Sequence, residues 1–242
     1  HRRRHSFPTR RSSDLDEEEM NNEELPDSLP ILPLRNMVLF PGVVIPITAG
    51  RDKSIKLIND AYAATKIIGV VAQKNEEVED PTLNDIHKIG TVAQILRVLK
   101  MPDGNVTVIL QGKKRFKIES VISETPYIKA NIKEVAEKRP GKLDTEFLAI
   151  IDSIKELAIQ IIKESPNIPS EATFAIKNIE SQSFLINFVT SNMNLSVQEK
   201  QDLLSINSLK ERALETLRYM NIELQKLELK NDIQSKVRFD LD

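Results

Sequence analysis

The 242 residues carry 34 basic and 36 acidic side chains, no cysteine, no tryptophan and only 5% aromatics. This excludes a disulfide framework or thiolate chemistry, leaves Ile, Leu and Val to build the cores, and supplies few rings on which nucleic-acid bases could stack. No apolar run approaches the roughly 20 residues of a membrane-spanning helix, and the length exceeds the common single-domain size, so a soluble chain of two domains is the expectation.

The formal charge of −2 hides an asymmetry. Arg2, Arg3, Arg4, Arg10 and Arg11 fall in the first fifteen residues with only Asp14 opposing them; without that piece 29 basic and 35 acidic residues remain, a charge of −6 by the same count. A body this acidic is a poor nonspecific binder of nucleic acid. Residues 1–15 start without methionine and have no apolar periodicity. An Arg- and Ser-rich leader is compatible with a mitochondrial transit peptide, but Ser6 to Leu15 resembles a translated sequencing adapter and is read as an artefact; His1 and His5 are then not metal ligands. Residues 16–28, with Asp16, Glu17, Glu18, Glu19, Glu23, Glu24 and Asp27, read as a disordered acidic tail.

The most informative stretch runs from Leu32 to Arg51. Two short apolar runs, Met37 to Phe40 and Val43 to Ile47, flank Pro41-Gly42. Proline sets φ for the second turn position and glycine accepts positive φ at the third, which predicts two strands joined by a tight turn. Pro33 and Pro46 lack backbone donors, which confines their strands to a sheet edge or a bulged, bent sheet, and so favours a small curved barrel. Asp52 to Thr65 has helical spacing at Ile55, Ile58 and Tyr62, with Asp52 as N-cap. Ile67 to Ala72 is a continuous apolar run suited to a central strand, and Glu76 to Ile86 reads as a surface loop. His87 stands alone, without the partners a ligand or base needs.

Thr91 to Leu99 and Val106 to Leu110 are strand-like and separated by Met101-Pro102-Asp103-Gly104-Asn105, a hairpin signal. Phe116 and Ile118, then Ile128, Ala130 and Ile132, alternate with polar residues as half-buried strands do. Gly112-Lys113-Lys114-Arg115 raises the question of a phosphate site. It is not a Walker A loop, because Thr107 stands where the first glycine would be and no Ser or Thr follows Lys113; a turn with a basic strand start is the reading adopted. Pro140-Gly141 marks a boundary, after which the period changes to helical. Phe147, Ile150, Ile151, Ile154, Leu157, Ala158, Ile161 and Ile162 form one stripe ending before Pro166. Ser170 to Ile179 and Ser183 to Thr190 are shorter helices. Ser196 with Glu199, and Ser208 with Glu211, are capping boxes that start a short helix and then one of about thirty residues. In the latter, Leu217, Met220, Leu224 and Leu227 have coiled-coil spacing, and Ile222, Leu229, Ile233 and Val237 form a second, offset stripe.

Leu-Pro-Leu-Arg-Asn at 32–36, Val-Leu-Phe-Pro-Gly at 38–42 and Gly50-Arg51 resemble the opening of the Lon N-terminal domain, the substrate-recognition region of ATP-dependent Lon proteases. The resemblance continues through Ser54, Val71-Ala72-Gln73-Lys74, Gly90-Thr91-Val92-Ala93, Pro102-Asp103-Gly104 and Gly112-Lys113-Lys114-Arg115. It extends into the helical half through Glu199-Lys200-Gln201, Leu203-Leu204 and Glu211-Arg212. Ser205, where the family often has Glu, and Phe239 depart from the pattern.

The resemblance implies an α+β fold: a PUA-like β pseudobarrel over 29–137, a helical bundle over 143–207, and a long helix over 208–242 leading to a missing ATPase domain. It implies a region that recognises unfolded or damaged protein substrates and targets them to a cytoplasmic bacterial protease, homohexameric when complete; a mitochondrial matrix location is the minor alternative. The family's AAA+ module, with its ATP and Mg, and its Ser-Lys protease module have no counterpart in this sequence. No catalytic, cofactor-binding or metal-binding residue is therefore assigned, no membrane or specific nucleic-acid partner is expected, and the substrate-binding residues are left unassigned. The second hypothesis is a standalone LON-domain module or adaptor reading a small molecule or peptide degron.

Overall fold

The computed structural model describes residues 22–239. The expectations for 1–15, for the start of the acidic run and for the last three residues lie outside the described residues. The β half contains β1 (Ser28–Leu34), β2 (Val44–Ala49), β3 (Ile67–Ala72), β4 (Ile89–Lys100), β5 (Val106–Ser123) and β6 (Lys129–Glu134). Their order is β2-β5-β4-β3-β1-β6, and β6 also pairs with β5, so β5, β4, β3, β1 and β6 close on themselves. Closure depends on the 18-residue β5, whose first half carries β2 and whose second half carries β6. Register shifts in the β4–β5 and β5–β6 pairs supply the bends a small barrel needs. Among the described strands only β1 and β3 run parallel. β3 is buried on both faces between β4 and β1, as its unbroken apolar run predicts.

The predicted hairpin across Pro41-Gly42 is corrected by the structure. The turn exists, with Gly42 at φ 81° and Val43 N donating to Phe40 O at 3.2 Å, but Met37 to Phe40 is not a strand. The first strand is Ser28–Leu34, upstream of it. Val38, Leu39 and Phe40 are buried and cross the barrel as a plug; Thr91 Oγ1 donates to Leu39 O at 2.6 Å, and Gly112 lies so close that a Cβ would sit 2.3 Å from Phe40 O. That contact also corrects the second expectation. Gly112-Lys113-Lys114-Arg115 is not a turn but the middle of β5, with the glycine giving room for the plug. The described end of the acidic run is likewise engaged: Leu25 packs on the core, Asp27 O accepts from Ile132 N at 2.9 Å, and Ser28 opens β1.

Helix α1 (Asp52–Ala63) buries Ser54, Leu57, Ile58 and Ala61, one helical face, against β1 and β3. Its N-cap is Arg51 rather than Asp52, and no side chain caps it; Asp52 is the first helical residue. After Glu134 come α2 (Thr145–Glu164), α3 (Ala172–Lys177), α4 (Gln182–Asn192), α5 (Val197–Ser205) and α6 (Leu209–Phe239). The α2 stripe buries Phe147, Ile150, Ile151, Ile154 and Ala158, mainly against α6. Its N-cap is Asp144, whose side chain accepts from Phe147 N. The Ser196–Glu199 capping box forms in both directions, and Ser208 Oγ accepts from Glu211 N at 3.2 Å. Leu203 and Leu204 of α5 insert into the barrel core, so the helices are not an appendage; burying each such side chain contributes about 1.5–3 kcal/mol. The expected α+β architecture, a β pseudobarrel followed by a helical bundle ending in a long helix, is the one observed.

Candidate functional site

Two places gather polar chemistry. The first is the joint between barrel and bundle. Arg115, read from sequence as part of a turn with a basic strand start, is buried because β5 carries it inward beneath the end of α5. Its Nη1 donates to Leu204 O at 2.8 Å, Ile206 O at 3.1 Å and Asn207 Oδ1 at 3.3 Å, and its Nη2 to Ala136 O at 3.2 Å. The last carbonyls of a helix lack intrahelical partners and carry the negative end of its dipole, so a guanidinium is well suited to close α5. Burial pushes the Arg115 guanidinium down to about 10, with Arg212 adding to the shift and Glu137 opposing it; it remains cationic at neutral pH.

Arg212, wholly buried on α6, pairs with Glu137 at 2.7 Å, and Glu137 also receives Arg139 Nε at 3.3 Å and Ser183 Oγ at 3.3 Å. A cleft of about 400 Å³ opens beside this joint, lined by Gly42, Lys113, Lys114, Glu137, Phe184 and Asn187 among others. Its charges are largely spent internally: Lys114 Nζ lies 3.2 Å from Glu134 and donates to Glu23 O at 2.8 Å. These contacts tie β5 and the segment after β6 to α4, α5 and α6.

The second place is a seam in the barrel. β2 pairs only with β5 among the described residues. Gly112 N donates to Val43 O at 2.9 Å, which fixes the phase of that ladder. Counting by twos, Ile45, Ile47 and Ala49 turn their backbone groups toward β5, and Val44, Pro46 and Thr48 turn theirs away. Pro46, with no N–H to give, occupies one of the outward positions, as an edge proline must. On the far side of the seam β6 accompanies β1 only along Ser28 to Pro30, so among the described residues Leu32 to Leu34 have β3 on one side and no strand on the other.

Two clefts lie here, of about 430 and 600 Å³, and share Leu32, Pro33, Gly50, Arg51 and Ser54. Arg51 stands between them; Nη2 donates to Pro33 O at 3.3 Å and Nη1 to Glu79 O at 3.0 Å. Burial lowers its pKa, the nearby Arg35 lowers it further, and Asp80 opposes both. That carboxylate is held by Lys53 at 2.8 Å, so neither Arg35 nor Arg51 has an ion-pair partner among the described residues.

His87 is half-buried with its pKa lowered by burial and by Lys74, and no second ligand-bearing residue joins it. No group of three or more His, Asp or Glu that could hold a metal occurs among the described residues, and no described helix is long and apolar enough to cross a membrane. His1 and His5 lie outside the described residues. Sequence reasoning assigned no residues to the seam; the signal that could have found it was the pair Pro33 and Pro46, one on each wall.

A closed small barrel with an open seam and clefts along it, fused to a helical bundle, has the form of a binding domain. The chain belongs to the family described as the ATP-dependent protease La (LON) substrate-binding domain, whose pattern it matches over residues 28–221. It is 85% identical over 227 residues to the Lon protease of Flavobacterium johnsoniae and 48% identical over 227 residues to that of Cytophaga hutchinsonii. Each alignment covers 94% of this chain but 28% of the relative, so the chain spans little more than a quarter of their length. Its fold is similar to the N-terminal domain of a Mycobacterium avium complex Lon protease, with a TM-score of 0.65 and 21% identity over 80% of this chain and 98% of that one. It is also similar to a Lon N-terminal domain protein of Xanthomonas campestris, with a TM-score of 0.58 and 16% identity over the same shares.

Proposed function

We propose that this chain is the polypeptide-recognition arm of an ATP-dependent Lon protease. It holds exposed apolar segments of unfolded, damaged or short-lived proteins and passes them to a hexameric motor in the bacterial cytoplasm. The observation that carries the reading is the family match over residues 28–221, in a chain without a Gly-x-x-x-x-Gly-Lys-[Ser/Thr] sequence. The barrel is of the PUA-like kind, the segments 29–137, 143–207 and 208–242 form its β domain, bundle and spacer, and ATP and Mg act in other modules of the full-length protein. A single weak site suffices for such an arm, because six copies around one pore multiply the effective concentration of substrate.

The test is fluorescence anisotropy with a labelled unfolded protein and its folded counterpart, using the full 242-residue chain. Preferential, weak binding of the unfolded form is expected, without ATP or peptide hydrolysis and without a stable hexamer. Equal affinity for both forms, or none at high micromolar concentration, would remove substrate recognition from this chain.

A further inference from the structure

We infer that the seam between β1 and β2 is where the polypeptide binds, and that it binds as an added strand on the outer edge of β2, with an acidic residue set against Arg35 and Arg51. The inference rests on the recognition role proposed above and gives it a place and a geometry.

The edge itself supplies the first argument. Val44, Pro46 and Thr48 turn their backbone groups away from β5, which offers two N–H donors and three carbonyl acceptors to whatever lies beside them. An unpaired edge of this length is a template for another extended chain, and folded proteins normally shorten, cover or charge such edges. Here one proline blunts the edge at its centre, while Val44 is 49% exposed and no charged residue occurs between Val43 and Gly50.

The clefts supply the second argument. Side chains of an added strand alternate between two faces. Those turned inward would meet the 430 Å³ cleft, whose walls include Leu32, Met37, Ile47 and Ala49, apolar surface of the kind an unfolded segment exposes.

Charge selects the occupant. Arg35 is exposed and Arg51 half-buried, both line this cleft, and the near carboxylate, Asp80, is already taken by Lys53. Two guanidinium groups whose one near carboxylate is shared with Lys53 favour a segment in which an Asp or Glu interrupts the apolar alternation, because a charge-assisted hydrogen bond exceeds a neutral one in strength. A sequence of apolar residues at every second position with one acidic residue among them is therefore the expected ligand, distinct from a merely greasy one.

The probe is a fluorescein-labelled peptide of roughly ten residues, valine alternating with threonine around one central glutamate, titrated by anisotropy into the full chain. Three companions are tested beside it: the same peptide N-methylated on every backbone amide, so that neither edge can donate, the same peptide with lysine for glutamate, and the Thr48→Pro chain. Proline at position 48 removes an outward donor and costs the β5 ladder no backbone bond. Thr48→Pro forfeits one hydrogen bond and the N-methylated peptide up to three, so binding should weaken about tenfold for the variant and further for the peptide. The lysine peptide should bind more weakly than the glutamate one, and Arg35→Glu should erase that difference. If Thr48→Pro unfolds, the N-methylated peptide on the unaltered chain still decides. Binding of the glutamate peptide that N-methylation leaves unchanged would overturn strand addition while leaving the recognition role standing. Failure of the unaltered chain to bind any unfolded polypeptide would remove that role, and this inference with it.

Discussion

Arg115 shows how far a single side chain can be from what its neighbours in sequence suggest. In the run Gly112-Lys113-Lys114-Arg115 it stands as the third of three cations, yet it is 3% exposed and its donors close the end of α5. Nothing in a one-dimensional pattern distinguishes the exposed from the buried cation there, because the burying surface, Leu204 to Asn207, lies some ninety residues away. Replacing Arg115 by Met should cost roughly 2–4 kcal/mol, since several buried carbonyls lose a charged donor at once. Lysine should restore only part of this, because one ammonium cannot reproduce a fork that serves Ala136 on one arm and the α5 carbonyls on the other. Urea unfolding of the two variants measures both; an Arg115→Met chain as stable as the parent would show that the joint is held by apolar packing alone.

At the scale of elements, what was legible in the sequence was what local chemistry decides. The buried run of β3, the Pro102-Asp103-Gly104 turn, the α2 stripe and the Ser196–Glu199 box each depend on residues close in the chain, and each forms. What failed were elements whose fate is set at long range. Met37 to Phe40 has strand composition but is packed as a plug by Gly112 and Thr91, and β5 runs straight through residues that read as a turn because both β2 and β6 need it. The seam was half legible: the prolines announced edges, but which two edges face each other is a property of the closed barrel.

The start of α2 offers a test at this scale. Asp144 caps the helix, and its carboxyl is held below the usual range first by the Phe147 amide and then by Lys210, which lies 3.0 Å away. A lowered carboxylate pKa means that its contribution is fully present above the ordinary value near 3.9 and is lost as pH falls through the lower, folded-state value. The Lys210 end is raised by Asp144 and then Glu146, so its share persists up to the ordinary lysine range near 10.4 and is lost above it. Asp144→Ala should therefore melt below the parent at pH 7, with the gap narrowing at pH 3. A gap of the same size at both would assign the effect to something other than the charge.

The whole molecule is two architectures sharing one interior. The distal half of α6 leaves that interior: Asn231 Nδ2 still reaches Glu164 O at 3.1 Å, while Leu229, Ile233 and Val237 are more than half exposed. Elsewhere the halves are interlocked. Leu203 and Leu204 complete the barrel core, Arg115 reaches into the bundle, and Lys138 is held between Asn207 and Leu209 by two backbone hydrogen bonds, at 2.8 and 3.0 Å. The link at 140–143 is different, since Leu143 is 91% exposed and Gly141 has open space around it. Within residues 22–225, trypsin should cut first after Lys142 and spare Lys138, whose backbone is pinned on both sides. The nicked chain should still elute as one species, because the cut removes no contact of the shared interior, and the intact chain should unfold in one cooperative transition. Gel filtration after limited proteolysis decides the matter: two fragments that separate without denaturant would mean that barrel and bundle are independent domains joined by a linker, and that the buried arginines at their joint contribute far less than their geometry implies.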